Sequence, residues 1–194
     1  MTDKLETEAK YAVPDPDAMR ERLLAAGAEP AQLRTLEINL RLDSSGGELR
    51  AAGVLLRLRQ DSHARLTLKL PVGPWGTQAK TLRELELEVS DLEIARQILS
   101  ELNYHVWFTY EKYRETYSLT GAEISVDELP FGSFIEIEGS LEQIAAAAAL
   151  LGLDGARRIT AGYVTLFQEA IEGLDFPARE CTFAAWSQYL ELER

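Results

Sequence analysis

The chain has 194 residues, 46% hydrophobic and 27% charged, which suits a globular fold and excludes a disordered or membrane-embedded one. Its 20 Lys and Arg against 32 Asp and Glu give a formal charge of −12, so nucleic acid and anionic membranes are repelled overall and any anionic ligand has to be met by locally clustered bases. A single cysteine, Cys181, excludes an internal disulfide and a cysteine-rich zinc site, and the longest uncharged apolar stretch, 144–153, is too short to span a bilayer.

Acids stand where a signal peptide carries bases, so a cytoplasmic protein is expected, with one domain over 1–194 and a helical extension from about 176 to 194. Residues 5–13 read as a strand. The segment from Asp15 or Asp17, with Met19, Leu23 and Leu24 at helical spacing and Gly27 beyond its end, reads as a helix. A second strand is expected over 35–43, then the turn Ser44-Ser45-Gly46-Gly47, a short 49–52 segment, and strands 54–60 and 64–70, close enough about Asp61 and Ser62 to form a hairpin. The stretch 71–80, with Gly73, Pro74, Trp75 and Gly76, reads as irregular, and 81–89 alternates as a strand. Ser90 with Glu93 is a capping-box pattern opening a helix through Leu102. Strands over 105–116, 123–128 and 133–138 follow, and helices near 141–151, 161–171 and 178–192 close the chain. About eight strands, with too few intervening helices for a parallel sheet, predict an α+β fold: an eight-stranded antiparallel β-barrel with helices packed outside.

In a half-buried strand, successive side chains point to opposite sides, leaving one face apolar and the other polar. Here the polar faces are charged in strand after strand: Glu6, Glu8 and Lys10; Arg57 and Arg59; Arg65, Thr67 and Lys69; Glu84, Glu86 and Glu88; Lys112 and Arg114; Ser125 and Asp127; Glu136 and Glu138. The opposite faces carry Leu56, Leu58, Leu66, Leu68, Leu70, Leu85, Leu87 and Val89, with Phe134, Ile135 or Ile137. For one strand alone, a solvated face held by weak cross-strand ion pairs accounts for this. Its repetition along the chain points to a closed barrel whose lumen carries both signs of charge. Arg offers phosphate a planar fork and Lys a compact charge, whereas the carboxylates repel that same anion unless a cation stands between them. Carboxylates accompanied only by His63 and His105 favour the hard ions Mg²⁺ or Mn²⁺ over zinc. Those histidines lack a paired nucleophile and read as surface or strand-filling residues.

Glu6-Thr7-Glu8-Ala9-Lys10 resembles the ExExK signature of the CYTH, or triphosphate tunnel metalloenzyme, family. In family order follow Leu49-Arg50-Ala51-Ala52-Gly53, Leu56-Arg57-Leu58-Arg59, Thr67-Leu68-Lys69, the acidic strand at 84–88, Lys112-Tyr113-Arg114, Asp127 and Phe134-Ile135-Glu136-Ile137-Glu138. The resemblance covers 5 to about 140 and implies an eight-stranded tunnel that binds a triphosphate. By the same resemblance, Lys10, Arg57, Arg59, Lys69, Lys112 and Arg114 grip phosphate, while Glu6, Glu8, Glu136 and Glu138 bind the metal, with Asp127, Glu84 and Glu86 assisting. Glu8 and Lys112 are the catalytic candidates. The sequence departs from the family in strand two, where Leu40-Arg41-Leu42-Asp43 keeps the acid of a Tyr-Phe-Asp segment and replaces the aromatics. A late acidic-Ser-Tyr stretch is matched only loosely, by Thr160-Ala161-Gly162-Tyr163.

The expected reaction is hydrolysis of a small-molecule triphosphate, inorganic triphosphate leading, by a monomer or homodimer. A thiamine triphosphatase needs an aromatic surface, which Trp75 could supply; a class IV-type adenylate cyclase needs a nucleobase site, for which no cluster stands out. A non-catalytic polyphosphate-binding module on the same barrel is the alternative from another class. Trp186, Tyr189 and Leu190, at helical spacing, are expected on a helix packed against the barrel exterior, with a tunnel cap or a dimer contact as the alternatives.

Overall fold

The alternation of charged and apolar residues is realised as a closed sheet. The computed structural model describes residues 2–72 and 80–192, so Trp75 lies outside the described residues. The strands are β1 (Thr2–Ala12), β2 (Glu29–Asp43), β3 (Leu55–Gln60), β4 (Ala64–Pro71), β5 (Lys80–Val89), β6 (His105–Leu119), β7 (Ala122–Leu129) and β8 (Gly132–Glu138). They pair in the order β2-β3-β4-β5-β1-β8-β7-β6, and β6 closes onto β2, every pairing antiparallel. Closure leaves no free edge and sends one face of every strand inward. β1 serves two neighbours: residues Thr2 to Glu8 pair with β5, and Glu8 to Ala12 with β8.

β2 starts earlier than the pattern suggests. Its first residues include Pro30 and do not alternate, but β6 runs alongside them, and pairing across two register shifts draws Glu29 to Arg34 into the strand. The β6–β7 connection is a two-residue turn, Thr120-Gly121, with positive φ at both positions (54° and 78°), the hairpin geometry whose twist matches the strands.

The apolar outer faces are covered by helices. Helices α1 (Pro16–Ala25) and α4 (Leu141–Leu150) lay Met19, Leu23, Ile144 and Ala147 over Tyr11, Ile124, Val126, Ile135 and Ile137. Helix α3 (Leu92–Glu101) sets Leu92, Ala95 and Leu99 against Leu42, Leu56 and Leu58 on β2 and β3. Its cap differs from expectation: Asp91, not Ser90, accepts the Ile94 N–H at 2.9 Å, and Glu93 pairs with Arg96 instead of closing a capping box. A carboxylate one residue further on reaches the free amides and complements the positive helix end.

The remaining elements lie past β8. Helix α5 (Tyr163–Ala170) crosses one end of the barrel and packs Tyr163 and Phe167 against Phe108, Tyr110 and Phe134. A two-residue strand, β9 (Glu180–Cys181), runs parallel to Thr109 and Tyr110 on the part of β6 that β7 does not reach. Helix α6 (Phe183–Leu192) lies outside: Phe183 N–H donates to Glu111, and Trp186 and Tyr189 pack on Phe176. The helix nearest the C-terminus is therefore exterior, as expected, and α5 is the one that covers the barrel end.

Candidate functional site

The inward faces enclose a cavity of about 520 Å³. All six expected phosphate-binding residues line it, Lys10, Arg57, Arg59, Lys69, Lys112 and Arg114, as do six of the seven expected metal ligands, Glu6, Glu8, Glu84, Glu86, Glu136 and Glu138. Strand pairing explains the assembly: Lys10 stands opposite Glu136, Glu8 opposite Glu138, and Lys69 opposite Glu84.

The charges are interleaved. Lys69 lies 2.7 Å from Glu84 and is paired with Glu6; Lys10 lies 3.2 Å from Glu136, which is also held by Arg114; Lys4 lies 2.7 Å from Glu138. Burial acts to raise the Glu6 carboxyl, but Lys69 pulls it down to about 2, and Lys10, Arg114 and Lys112 likewise hold Glu136 well below the usual range. Glu8 goes the other way. Among the described residues it is the lining carboxylate without an ion pair, and burial together with the neighbouring Glu136 and Glu6 charges pushes it up to about 7.

Asp127 is the one expected metal-assisting residue that stands behind the lining. It is fully buried, does not line the cavity, and accepts from Lys112 Nζ (2.9 Å), Arg114 Nε (2.7 Å) and the Tyr163 hydroxyl (2.7 Å). With its oxygens so occupied, it anchors two lining bases. Tyr163 is the pivot between α5 and the barrel: its ring also lies 3.9 Å from Lys10 Nζ.

Glu37, Asn39 and Tyr110 escaped the sequence reading, and Arg41 entered it only as part of the strand-two departure from the family. Glu37, 1% exposed, sits 3.4 Å from Arg59 and 3.5 Å from Lys112. Asn39 and Arg41 stand opposite Arg59 and Arg57, and Tyr110 opposite Asn39. The signal was present, since Glu37, Asn39 and Arg41 alternate with Leu36, Ile38 and Leu40. Asp43 has a local task. It accepts the N–H groups of Ser44, Leu49 and Arg50 and pairs with the Arg50 side chain, tying the short helix α2 (Glu48–Ala51) to the end of β2. His63 and His105 are exposed and bonded to neighbouring serines, as expected of surface residues.

Among the described residues no group of three or more His, Cys, Asp or Glu is preformed as a metal cage. The donor chemistry nevertheless fits a hard divalent ion: Glu8, Glu136 and Glu138 supply oxygens on adjacent strands, and Mg²⁺-type ions ordinarily take the rest of their shell from water and substrate phosphate.

A closed antiparallel barrel with bases and carboxylates facing one another across its lumen defines a charged β-barrel tunnel. Residues 4–153 match the CYTH domain, and the chain belongs to that family. It is 28% identical over 142 residues to a Methanocaldococcus jannaschii protein provisionally named an adenylate cyclase, covering 72% of this chain and 79% of that one. Its fold is similar to that of a Vibrio parahaemolyticus protein with the same provisional name (TM-score 0.76, 22% identity, 86% of this chain and 99% of that one). It is also similar to a Hippeastrum protein described as a provisional adenylyl cyclase with dominant triphosphatase activity (TM-score 0.64, 21% identity, 89% and 98%). No helix among the described residues is long and apolar enough to cross a membrane.

Proposed function

We propose that the protein is a divalent-metal-dependent triphosphatase acting on inorganic triphosphate within the barrel. The observation that carries this reading is the meeting, across one lumen, of six phosphate-compatible bases with Glu8, a carboxylate that lacks a cationic partner among the described residues and stands beside Glu136 and Glu138.

Lys10, Arg57, Arg59, Lys69, Lys112 and Arg114 hold the phosphate oxygens and stabilise charge as it develops on the departing group. Asp127 fixes Lys112 and Arg114, so their heads need little reorganisation when substrate enters. Glu8, Glu136 and Glu138, with Glu6 and Glu84 nearby, would hold Mg²⁺ or Mn²⁺, which when bound supplies charge neutralisation at the phosphate oxygens. Glu8 orients a water and accepts its proton as the new oxygen–phosphorus bond forms. The anhydride bond opposite breaks, and Lys112 stabilises the leaving pyrophosphate oxygen. Helix α5 adds Tyr163, Val164 and Thr165 to the wall of the same cavity.

The provisional names of two relatives favour a second reading, cyclisation of ATP. One assay separates the two: phosphate release from inorganic triphosphate, thiamine triphosphate and ATP, and cyclic AMP from ATP, each with Mg²⁺, Mn²⁺ or EDTA. Metal-dependent phosphate release from inorganic triphosphate, lost by at least about 100-fold in Glu8→Gln, is expected. Cyclic AMP without phosphate release would replace the triphosphatase reading with the cyclase, and binding without turnover would leave a non-catalytic module.

A further inference from the structure

The mouth of the cavity beside α5 differs from its interior. Arg41 on β2 and Arg57 on β3 are direct cross-strand partners, so two guanidiniums stand side by side on the inward face. Like charges placed opposite one another destabilise a sheet. Among the described residues neither has a carboxylate within ion-pair distance, and the Nε of each is buried without a hydrogen-bond partner. The interior bases Lys10, Lys69, Lys112 and Arg114, by contrast, each pair with an acid.

The neighbouring strand adds a third donor. Between β2 and β6 the register jumps from Arg41 opposite Phe108 to Leu42 opposite Val106, which leaves Trp107 unpaired in a bulge. Bulges re-aim side chains, and Trp107 lines the cavity with its indole Nε1 buried and without an acceptor. Arg50, anchored to Asp43 at 3.0 Å, lies 4.1 Å from the indole ring, and Arg41 5.9 Å from it. Arg41, Arg57 and Trp107 are thus donor-only groups, each with a buried nitrogen left unsatisfied although Arg57 also donates to Thr67, a state that favours a ligand rich in acceptors. An organic cation would meet three guanidiniums, and a nucleobase would find one indole face already covered by Arg50.

We propose that Arg41 and Trp107, backed by Arg50, form a further anion subsite at this mouth, which takes the next phosphate of a linear inorganic polyphosphate longer than triphosphate. The inference rests on the triphosphate reading of the barrel interior. Arg57, between the two regions, joins the subsite to the interior grip.

The test is calorimetric titration, without divalent cation, of tripolyphosphate and tetrapolyphosphate into the wild type, Arg41→Gln, Arg41→Lys and Trp107→Phe, each checked for folding by thermal melting. Tetrapolyphosphate is expected to bind the wild type about tenfold more tightly than tripolyphosphate, the scale of one charge-assisted contact. Arg41→Gln removes that advantage while shifting tripolyphosphate by less than about threefold, and Trp107→Phe, which keeps the ring and deletes the donor, removes part of it. Arg41→Lys, which keeps the charge and loses the fork, retains an intermediate preference and serves if the glutamine variant does not fold. Equal affinities in the wild type, or an equal loss of both ligands in Arg41→Gln, would overturn the subsite and leave the triphosphate reading standing. Tighter binding of ATP than of tetrapolyphosphate, lost in Arg41→Gln, would assign the mouth to an organic group and overturn it too. Failure of tripolyphosphate to bind, both here and when the titration is repeated with Mg²⁺, would sink the interior reading and the subsite with it.

Discussion

Replacing Glu37 by glutamine should cost stability in a way that depends on pH. Glu37 faces its cross-strand partner Lys112 and reaches Arg59, and it is 1% exposed. Burial alone would raise its carboxyl, but Lys112, Arg114, Arg59 and Arg57 hold it down at about 2 against an ordinary 4.5. That gap corresponds to about 3 kcal/mol favouring the charged form in the folded chain. Because the folded value is the lower one, the stabilisation is complete above about pH 4.5 and drains away as pH falls toward 2. Urea unfolding of wild type and Glu37→Gln between pH 7 and pH 3 isolates the effect, since every other titrating acid is common to both chains. The difference should be near 3 kcal/mol at neutral pH and shrink steadily through the acid limb. A difference that stays constant would show that the amide disturbs packing alone, and one that grows on acidification would refute the assigned sign.

Two further outcomes follow from single residues. Asp127→Ala strips Lys112 and Arg114 of their shared anchor and leaves the buried Tyr163 hydroxyl unpaired. A loss of about 3–5 kcal/mol is expected in denaturant unfolding, and a loss below about 1 kcal/mol would mean the bases find other partners at once. Asp43→Ala releases the Ser44 N–H, two backbone N–H groups in the first turn of α2 and the Arg50 pair, so about 1–2 kcal/mol should be lost and the 44–53 segment should become the first site of protease cleavage; an unchanged cleavage map would count against that tie.

Most of the barrel lumen was legible because its strands alternate with charge at every second position, as at Arg57 and Arg59 or Glu136 and Glu138. The same periodicity runs through Glu37, Asn39 and Arg41, whose inward face becomes visible once the whole of β2 is traced. What the pattern could not carry was set by distant contacts. Asp127 shares a face with Ser125 yet lies buried behind Lys112, Arg114 and Tyr163, the last on a helix far along the chain. That α5 packs on Phe108 and Phe134, that Trp107 falls in a bulge of the β2–β6 pairing and that two residues form β9 beside β6 are all long-range contacts, which no local spacing records.

The chain's formal charge of −12 is compatible with an anion site because the charge is segregated. Among the described residues nine Lys and Arg line the cavity against six Glu, so the lumen carries a formal cationic excess inside an acidic protein. Beyond a Debye length of about 8–10 Å the exterior acids are screened, but within the barrel the low-dielectric walls preserve the interior field. A bulky polyanion such as a duplex nucleic acid meets the exterior charge and cannot follow the cavity inward, whereas a slender phosphate chain can pass into it. The acids among the bases have a second effect: pairs such as Lys69–Glu84 and Lys10–Glu136 satisfy the lumen before ligand arrives, so binding exchanges one set of ion pairs for another. That exchange weakens anions that do not bring a cation for the displaced carboxylates, and it ties phosphate affinity in this tunnel to the divalent ion that accompanies the phosphate.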